Sequence, residues 1–216
     1  MDSNLASYFN AVSLSQLMHK GQSRRDLDIP YWTHVSLVSS TVAEWGGDMT
    51  QILAALAHDL IEDTSANRAM IDAILGEEVG ELVEAMTGSK DKTVSWTDRK
   101  LAYIRTFAEK AVPDRTYLDK LCDMHANMTS FSNTAIRSGA PSAKPHTIES
   151  YVALTHICLD RLEAVGTPEQ FRVARYNMHR MLSRIIDVGV CPSATLLAKI
   201  GTDVDWFHEL ELLWKP

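Results

Sequence analysis

Apolar residues recur at helical spacing along almost the whole chain, and strand-like alternation is hard to find. Val79, Leu82, Val83 and Met86 fall at i, i+3, i+4 and i+7, and Leu5, Tyr8, Phe9 and Val12 repeat the pattern. Such a stripe buries one face of a helix; in a strand the same residues would be split between two faces. Helix starts are marked too. Asp48 followed by Gln51, and Thr167-Pro168 followed by Gln170, each pair a cap residue with a reciprocal amide three positions on. The pattern predicts an all-α helical bundle of about ten helices. They are placed near 5–20, 31–44, 49–64, 67–75, 77–87, 97–110, 115–130, 147–165, 168–187 and 193–213, with edges good to a few residues. Two stretches without periodicity read as loops, 88–96 and 130–146. The second contains Gly139, Pro141 and Pro145 and has the length of a lid over a site.

At 216 residues the chain can bury one sizeable core, and a single domain over 1–216 is the expectation. Hydrophobic residues make up 45% and charged residues 23%, so no polar tract argues for disorder. The 21 Lys and Arg stand against 28 Asp and Glu, and the resulting charge of -7 repels polyanions. Broad nucleic-acid binding is therefore not expected. A small phosphorylated ligand remains admissible if cations converge locally or a metal carries the positive charge. Cys122, Cys158 and Cys191 are an odd, widely spaced set that suits neither a disulfide framework nor a zinc knuckle. Met1-Asp2-Ser3-Asn4 opens neither a basic nor a long apolar stretch, and no window approaches a membrane span. The expectation is a cytoplasmic protein without a membrane partner.

The strongest chemical signal is His58-Asp59-Leu60-Ile61-Glu62-Asp63, preceded by the apolar Ile52, Leu53, Ala54, Ala55 and Leu56. On one continuous helix His58 would lie over Glu62, and Asp59 over Asp63. Three carboxylates so close to one another and to apolar surface need a compensating cation. An imidazole with an adjacent carboxylate is a ligand set for manganese, iron or zinc. The run alone is equally compatible with a solvated helix end. His34, after Pro30-Tyr31-Trp32-Thr33, would in isolation be read as a core or capping histidine. Asp123 is a carboxylate among Leu118, Leu121 and Met128, and such a residue needs a partner. One His, a His-Asp pair and one Asp from three helices make a four-ligand set that a bundle can bring to one point.

Several ordered segments carry a family resemblance. They are His19-Lys20-Gly21-Gln22-Ser23-Arg24-Arg25, Pro30-Tyr31-Trp32-Thr33-His34, and Ala54-Ala55-Leu56-Ala57-His58-Asp59-Leu60-Ile61-Glu62-Asp63-Thr64. Gly76-Glu77-Glu78-Val79 with Leu82-Val83 and Met86-Thr87 follows, then Lys120-Leu121-Cys122-Asp123 with Asn127-Met128. Over roughly residues 8–130 the chain resembles the HD-domain phosphohydrolases, and within them the hydrolase domain of RelA/SpoT-type alarmone enzymes, with a helical extension at 147–214. The resemblance implies the stand-alone type, similar to the small alarmone hydrolases. It implies hydrolysis of ppGpp or pppGpp at the 3′-diphosphate with one Mn2+ ion. By position His34, His58, Asp59 and Asp123 would be the metal ligands, and Glu62 and Asp63 would serve the attacking water. Arg24 and Arg25 match the family's basic pair near the nucleotide, and Asn127 its Asn on the base and ribose side; a basic surface turn and a capping amide are the plain alternatives. Lys92, in the loop after Thr87, is either a phosphate contact or a solvated lysine.

The chain departs from the family where an Arg should follow the Asp and another the Asn-Met pair, since these positions are Met124 and Thr129. Cations lost near a polyanionic substrate would alter its selection. Two other readings follow. One keeps the site and changes the substrate to another phosphorylated nucleotide, such as a dinucleotide cofactor or a deoxynucleotide. The other is a catalytically silent nucleotide-binding module. His125, His146, His156, His179 and His208 are read as structural or surface residues. The stretch with Trp206, Phe207, Leu210, Leu212, Leu213 and Trp214 either completes the core or forms a homo-oligomer surface.

Overall fold

The computed structural model describes residues 3–24, 28–141, 143–189, 196, 199 and 204–215. Eleven helices lie among these residues: α1 (Ser3–Met18), α2 (Trp32–Glu44), α3 (Met49–Ala57), α4 (Leu60–Asp63), α5 (Arg68–Leu75), α6 (Glu77–Met86), α7 (Trp96–Ala108), α8 (Thr116–Ser138), α9 (Pro145–Val165), α10 (Pro168–Asp187) and α11 (Trp206–Trp214). The one β-type pairing among them is an isolated antiparallel bridge between Ser23 and Pro30. Both expected capping boxes form, at Asp48/Gln51 and at Thr167/Gln170.

Two expectations are corrected. The helix expected over 49–64 is broken at His58 and Asp59, where ψ of Asp59 opens to -2°. Consecutive residues of a straight helix diverge by about 100° around its axis. The break instead lets His58 and Asp59 face the same point. The loop expected over 130–146 is helical to Ser138, where Gly139 closes α8 in the left-handed region. Thr129, Ser130, Ser132 and Ser138 hide this helix because their side chains bond the local backbone and lower its propensity. Burial of Ser132 and Ala135 overrides that preference. No lid-length loop remains there; the connection is residues 139–144. Of the helix expected over 193–213, only Trp206–Trp214 falls in a described element, and residues 190–195 and 200–203 lie outside the described residues.

Sharp connections position the site. Gly46 has φ +86°, and a Cβ on Gly47 would strike the Val42 side chain and carbonyl. This turn needs glycine. It folds α2 back along α3, so that His34 near the start of α2 meets His58 just past the end of α3. The core lies on both sides of this hairpin. One cluster joins α2, α8, α9 and α10 through Val38, Val42, Leu121, Val152 and Met178; the other joins α1, α3, α5 and α6 through Leu14, Leu53, Ile71 and Val83. Helix α8 is buried on nearly every face, so its polar residues must find partners inside.

Candidate active site

His34 and His58 are 4% and 3% exposed, and Asp123 is 6% exposed. Their polar atoms converge. The Nε2 of His34 lies 3.7 Å from Oδ2 of Asp59 and 3.4 Å from Oδ1 of Asp123. The Nε2 of His58 lies 3.1 Å and 3.7 Å from the same two oxygens. One ligand atom each from His34, His58 and Asp59 all fall within 4.8 Å of one another, a set able to hold a metal ion.

The chemistry of these donors fits a cation. His58 donates from Nδ1 to the carbonyl of Ala55 at 2.8 Å, which turns the Nε2 lone pair of the neutral ring toward the cluster. That Nε2 is fully buried and makes no hydrogen bond of good geometry, although two carboxylate oxygens lie close by. Burial alone would strip charge from these groups, and their pairing decides the outcome. In His34 burial wins, so the imidazole is held neutral below its ordinary pKa despite Asp123 and Asp59. In His58 burial is outweighed by Asp59 and Asp123, which raise its pKa. Against burial, His58 pulls Asp59 below the carboxylate range, and Lys120 with the two histidines does the same for Asp123. The proton drawn to His58 expresses the same demand for positive charge that a divalent cation meets.

Each ligand-type side chain is held from behind. The Oη of Tyr31 donates to Oδ2 of Asp59 at 2.7 Å. The Nζ of Lys120 bonds Oδ2 of Asp123 at 2.8 Å, and Nδ2 of Asn127 bonds its Oδ1 at 2.7 Å. Glu62 accepts the Gly88 backbone N–H at 3.0 Å. Asp63 is pushed above its ordinary pKa by burial and by Asp59, while Tyr31 works against the shift. Gln22, itself bonded to the His19 ring, donates to the Asp63 carbonyl at 2.9 Å.

The cluster forms the floor of a cavity of about 290 Å³ that Tyr31, Glu62, Asp63, Asn127 and Tyr151 also line. Its outer wall carries Trp96, Arg99, Lys100 and Tyr103, with Lys120 at the junction. Burial and the neighbouring Lys120 lower the pKa of Lys100 to about 8. A larger hollow beside Gln16, His19, Lys20, Asp28 and Trp32 has no converging acids and bases, so the smaller cavity is the candidate site.

The structure brings His34, His58, Asp59 and Asp123 to one point. It adds to the cavity Arg99 and Lys100, which carry no motif of their own, and Tyr31, whose segment Pro30-Tyr31-Trp32-Thr33-His34 gave no sign of its contact with Asp59. Lys92 is exposed and does not line the cavity. Arg24 bonds Asn127 at 3.0 Å and Ser130 at 3.3 Å, with its guanidinium 5.6 Å from the Tyr31 ring centre. Arg25 lies outside the described residues. Met124 is fully buried in the core, and Thr129 bonds the His125 carbonyl, so the first departure points away from the cavity. His125 packs edge-on against Trp45, and His156 stacks on Trp206.

The family model described as HD domain matches residues 11–148. The chain belongs to the HD-domain family. This HD-domain chain is 28% identical over 192 residues to the "Bifunctional (p)ppGpp synthase/hydrolase SpoT" of Escherichia coli K12, covering 87% of this chain and 27% of that protein. It is 32% identical over 204 residues to a "Probable GTP pyrophosphokinase" of Mycobacterium leprae, covering 93% of this chain and 25% of that protein. The chain thus spans about a quarter of the length of these relatives. A solved structure described as "A metazoan ortholog of SpoT hydrolyzes ppGpp and plays a role in starvation responses" superposes with a TM-score of 0.63 at 25% identity, over 81% of this chain and 94% of that one. No described helix of this HD-domain chain is long and apolar enough to cross a membrane.

Proposed function

We propose that this chain is a metal-dependent phosphohydrolase that removes the 3′-diphosphate of (p)ppGpp as pyrophosphate. One observation carries the reading: His34, His58, Asp59 and Asp123 converge in one cavity whose outer wall carries Arg99 and Lys100. The metazoan structure, whose description names ppGpp hydrolysis, and the relatives named guanosine-3′,5′-bis(diphosphate) 3′-pyrophosphohydrolase support the substrate. His34, His58, Asp59 and Asp123 would hold one divalent ion; imidazole with carboxylate admits manganese, iron or zinc, and the family resemblance favours Mn2+. Such an ion supplies a Lewis acid that acidifies water and offsets charge on phosphoryl oxygens.

The chain's own residues do the rest. Glu62 and Asp63 border the donor cluster and take the proton of the attacking water. As water adds to phosphorus, the bond to the 3′ oxygen breaks, pyrophosphate leaves, and the 3′ oxygen ends protonated. The raised proton affinity of Asp63 suits it to this traffic. Arg99 and Lys100 bind phosphate oxygens, Lys120 holds the Asp123 carboxylate, and Arg24 with Asn127 faces the guanosine side. The buried free thiols of Cys122 and Cys158 fit a reducing cytoplasm.

A screen of Mn2+-loaded protein for phosphate and pyrophosphate release over ppGpp, GTP, NADPH and deoxynucleotides tests the reading. The expected result is GDP and pyrophosphate from ppGpp at the highest kcat/KM. A preference of about tenfold, or 1.4 kcal/mol, for any other nucleotide would transfer the same site to that substrate.

A further inference from the structure

Trp96 is 44% exposed, yet it lines a cavity made mostly of charged and polar groups and tyrosines. Its indole rests against Trp214 of α11, with ring centres 5.6 Å apart and planes inclined by 44°. Trp214 is fixed in turn. Its Nε1 donates to Oε2 of Glu149 at 2.8 Å, and His146 shares that oxygen at 2.9 Å. Glu149 is 4% exposed, so its carboxylate depends on these donors. Lys215 pairs with Asp98 at 2.8 Å, Glu211 accepts from Arg105 at 3.0 Å, and the Arg105 guanidinium lies 5.3 Å from the Phe207 ring centre.

Apart from Arg105, in the last turn of α7, these contacts join the starts of two helices. Asp98 and Trp96 open α7, whose next residues, Arg99 and Lys100, face the cavity; Glu149 and His146 open α9, which places Tyr151 there two residues later. The Nζ of Lys100 lies 5.9 Å from the Tyr151 ring centre, so the cavity's outer wall is where α7 meets α9. Helix α7 buries only Leu101, Ile104 and Phe107, all beyond its first turn. Its first turn is held by the Ser95 cap on Asp98, by the bond from Arg99 to the Ser89 carbonyl, by docking on α9 and by the contacts with α11.

We propose that α11 clasps the phosphate-facing wall of the cavity, and that Trp214 is a positioning residue which sets the placement of Trp96, Arg99 and Lys100 for anion binding. The clasp lies beyond the segment matched by the family model. This assignment rests on the phosphohydrolase reading only in taking the wall to meet phosphates. A misplacement of that wall by a fraction of an ångström to one ångström should weaken phosphate binding by roughly 10- to 100-fold. The metal donors, carried by α2, α8 and the α3–α4 break, should be untouched.

The test is calorimetric titration of the full chain, loaded with Mn2+, with inorganic pyrophosphate, on the wild type, Trp214→Ala and Trp214→Phe. Metal content and pyrophosphate release from ppGpp are measured on the same samples. The expected result is pyrophosphate affinity reduced at least about tenfold in Trp214→Ala and only partly restored in Trp214→Phe, which keeps a ring against Trp96 but loses the bond to Glu149, at equal metal content. In turnover the loss should appear in KM, with kcat nearly unchanged. Lys215→Ala removes one arm of the clasp without touching the core, and it should give a smaller loss of the same kind. Wild-type affinity in both Trp214→Ala and Lys215→Ala would overturn the clasp, as would an equal loss of metal and pyrophosphate. If the wild type binds pyrophosphate but leaves ppGpp intact, the proposed substrate falls while the pyrophosphate comparison still decides the clasp. A wild type that does not bind pyrophosphate overturns the clasp together with the phosphate wall.

Discussion

The phenol of Tyr31 donates to Oδ2 of Asp59 at 2.7 Å, the same oxygen that lies 3.1 Å from Nε2 of His58. The Tyr31 ring is itself wedged between the His19 ring, at 4.7 Å between centres, and the Arg24 guanidinium. One residue therefore links the basic turn to the donor cluster. Tyr31→Phe keeps the ring and removes only the donor. Mn2+ affinity, measured by competition with a chelator, should fall by roughly 10- to 100-fold, the usual cost of losing a group that orients a ligand. An unchanged affinity would mean that the hydrogen bond is incidental.

Glu62 is positioned by the Gly88 backbone amide and contributes nothing to either core cluster. Glu62→Gln preserves its shape and removes its basicity. Turnover should drop by roughly 10²- to 10⁴-fold while metal content and thermal stability hold. Retained turnover would shift the base to Asp63, and the corresponding Asp63→Asn variant would then show the loss.

Lys100 binds phosphate only as an ammonium ion, and burial with Lys120 brings its pKa down to about 8. Pyrophosphate affinity should therefore be full below that pH and fall as pH rises through it. In Lys100→Arg, which stays charged, the decline should move to higher pH. The check is a series of binding isotherms between pH 6.5 and 9.5 at constant ionic strength; superimposable pH profiles for the two proteins would exclude Lys100 from the phosphate wall.

The fold and the His and Asp residues that converge in the cavity were legible in the sequence for different reasons. Helical periodicity is written in side chains that must be buried, so α5, α6 and α10 appear where Ile71, Val83 and Met178 demand them. The histidines and aspartates stood out because buried ionisable groups need partners. What stayed hidden depends on the third dimension. The break at Asp59 leaves no local mark, since Leu60 and Ile61 are good helix residues whose pattern continues across it. The last two turns of α8 are built from serines and threonines that read as loop until packing against α10 is known. Arg99 and Lys100 look like surface charges on an exposed stretch, and only the docking of α7 on α9 and α11 turns them toward the cavity.

The central claim is that the donor cluster holds a metal that the reaction needs. Metal content and pyrophosphate release from ppGpp, measured together on the wild type and on Asp59→Ala, address this directly. About one divalent ion per chain and ppGpp hydrolysis abolished by chelation are expected in the wild type. Asp59→Ala should lose both ion and activity with its helical circular dichroism intact. Full metal occupancy in Asp59→Ala, or wild-type hydrolysis that survives complete removal of metal, would contradict it.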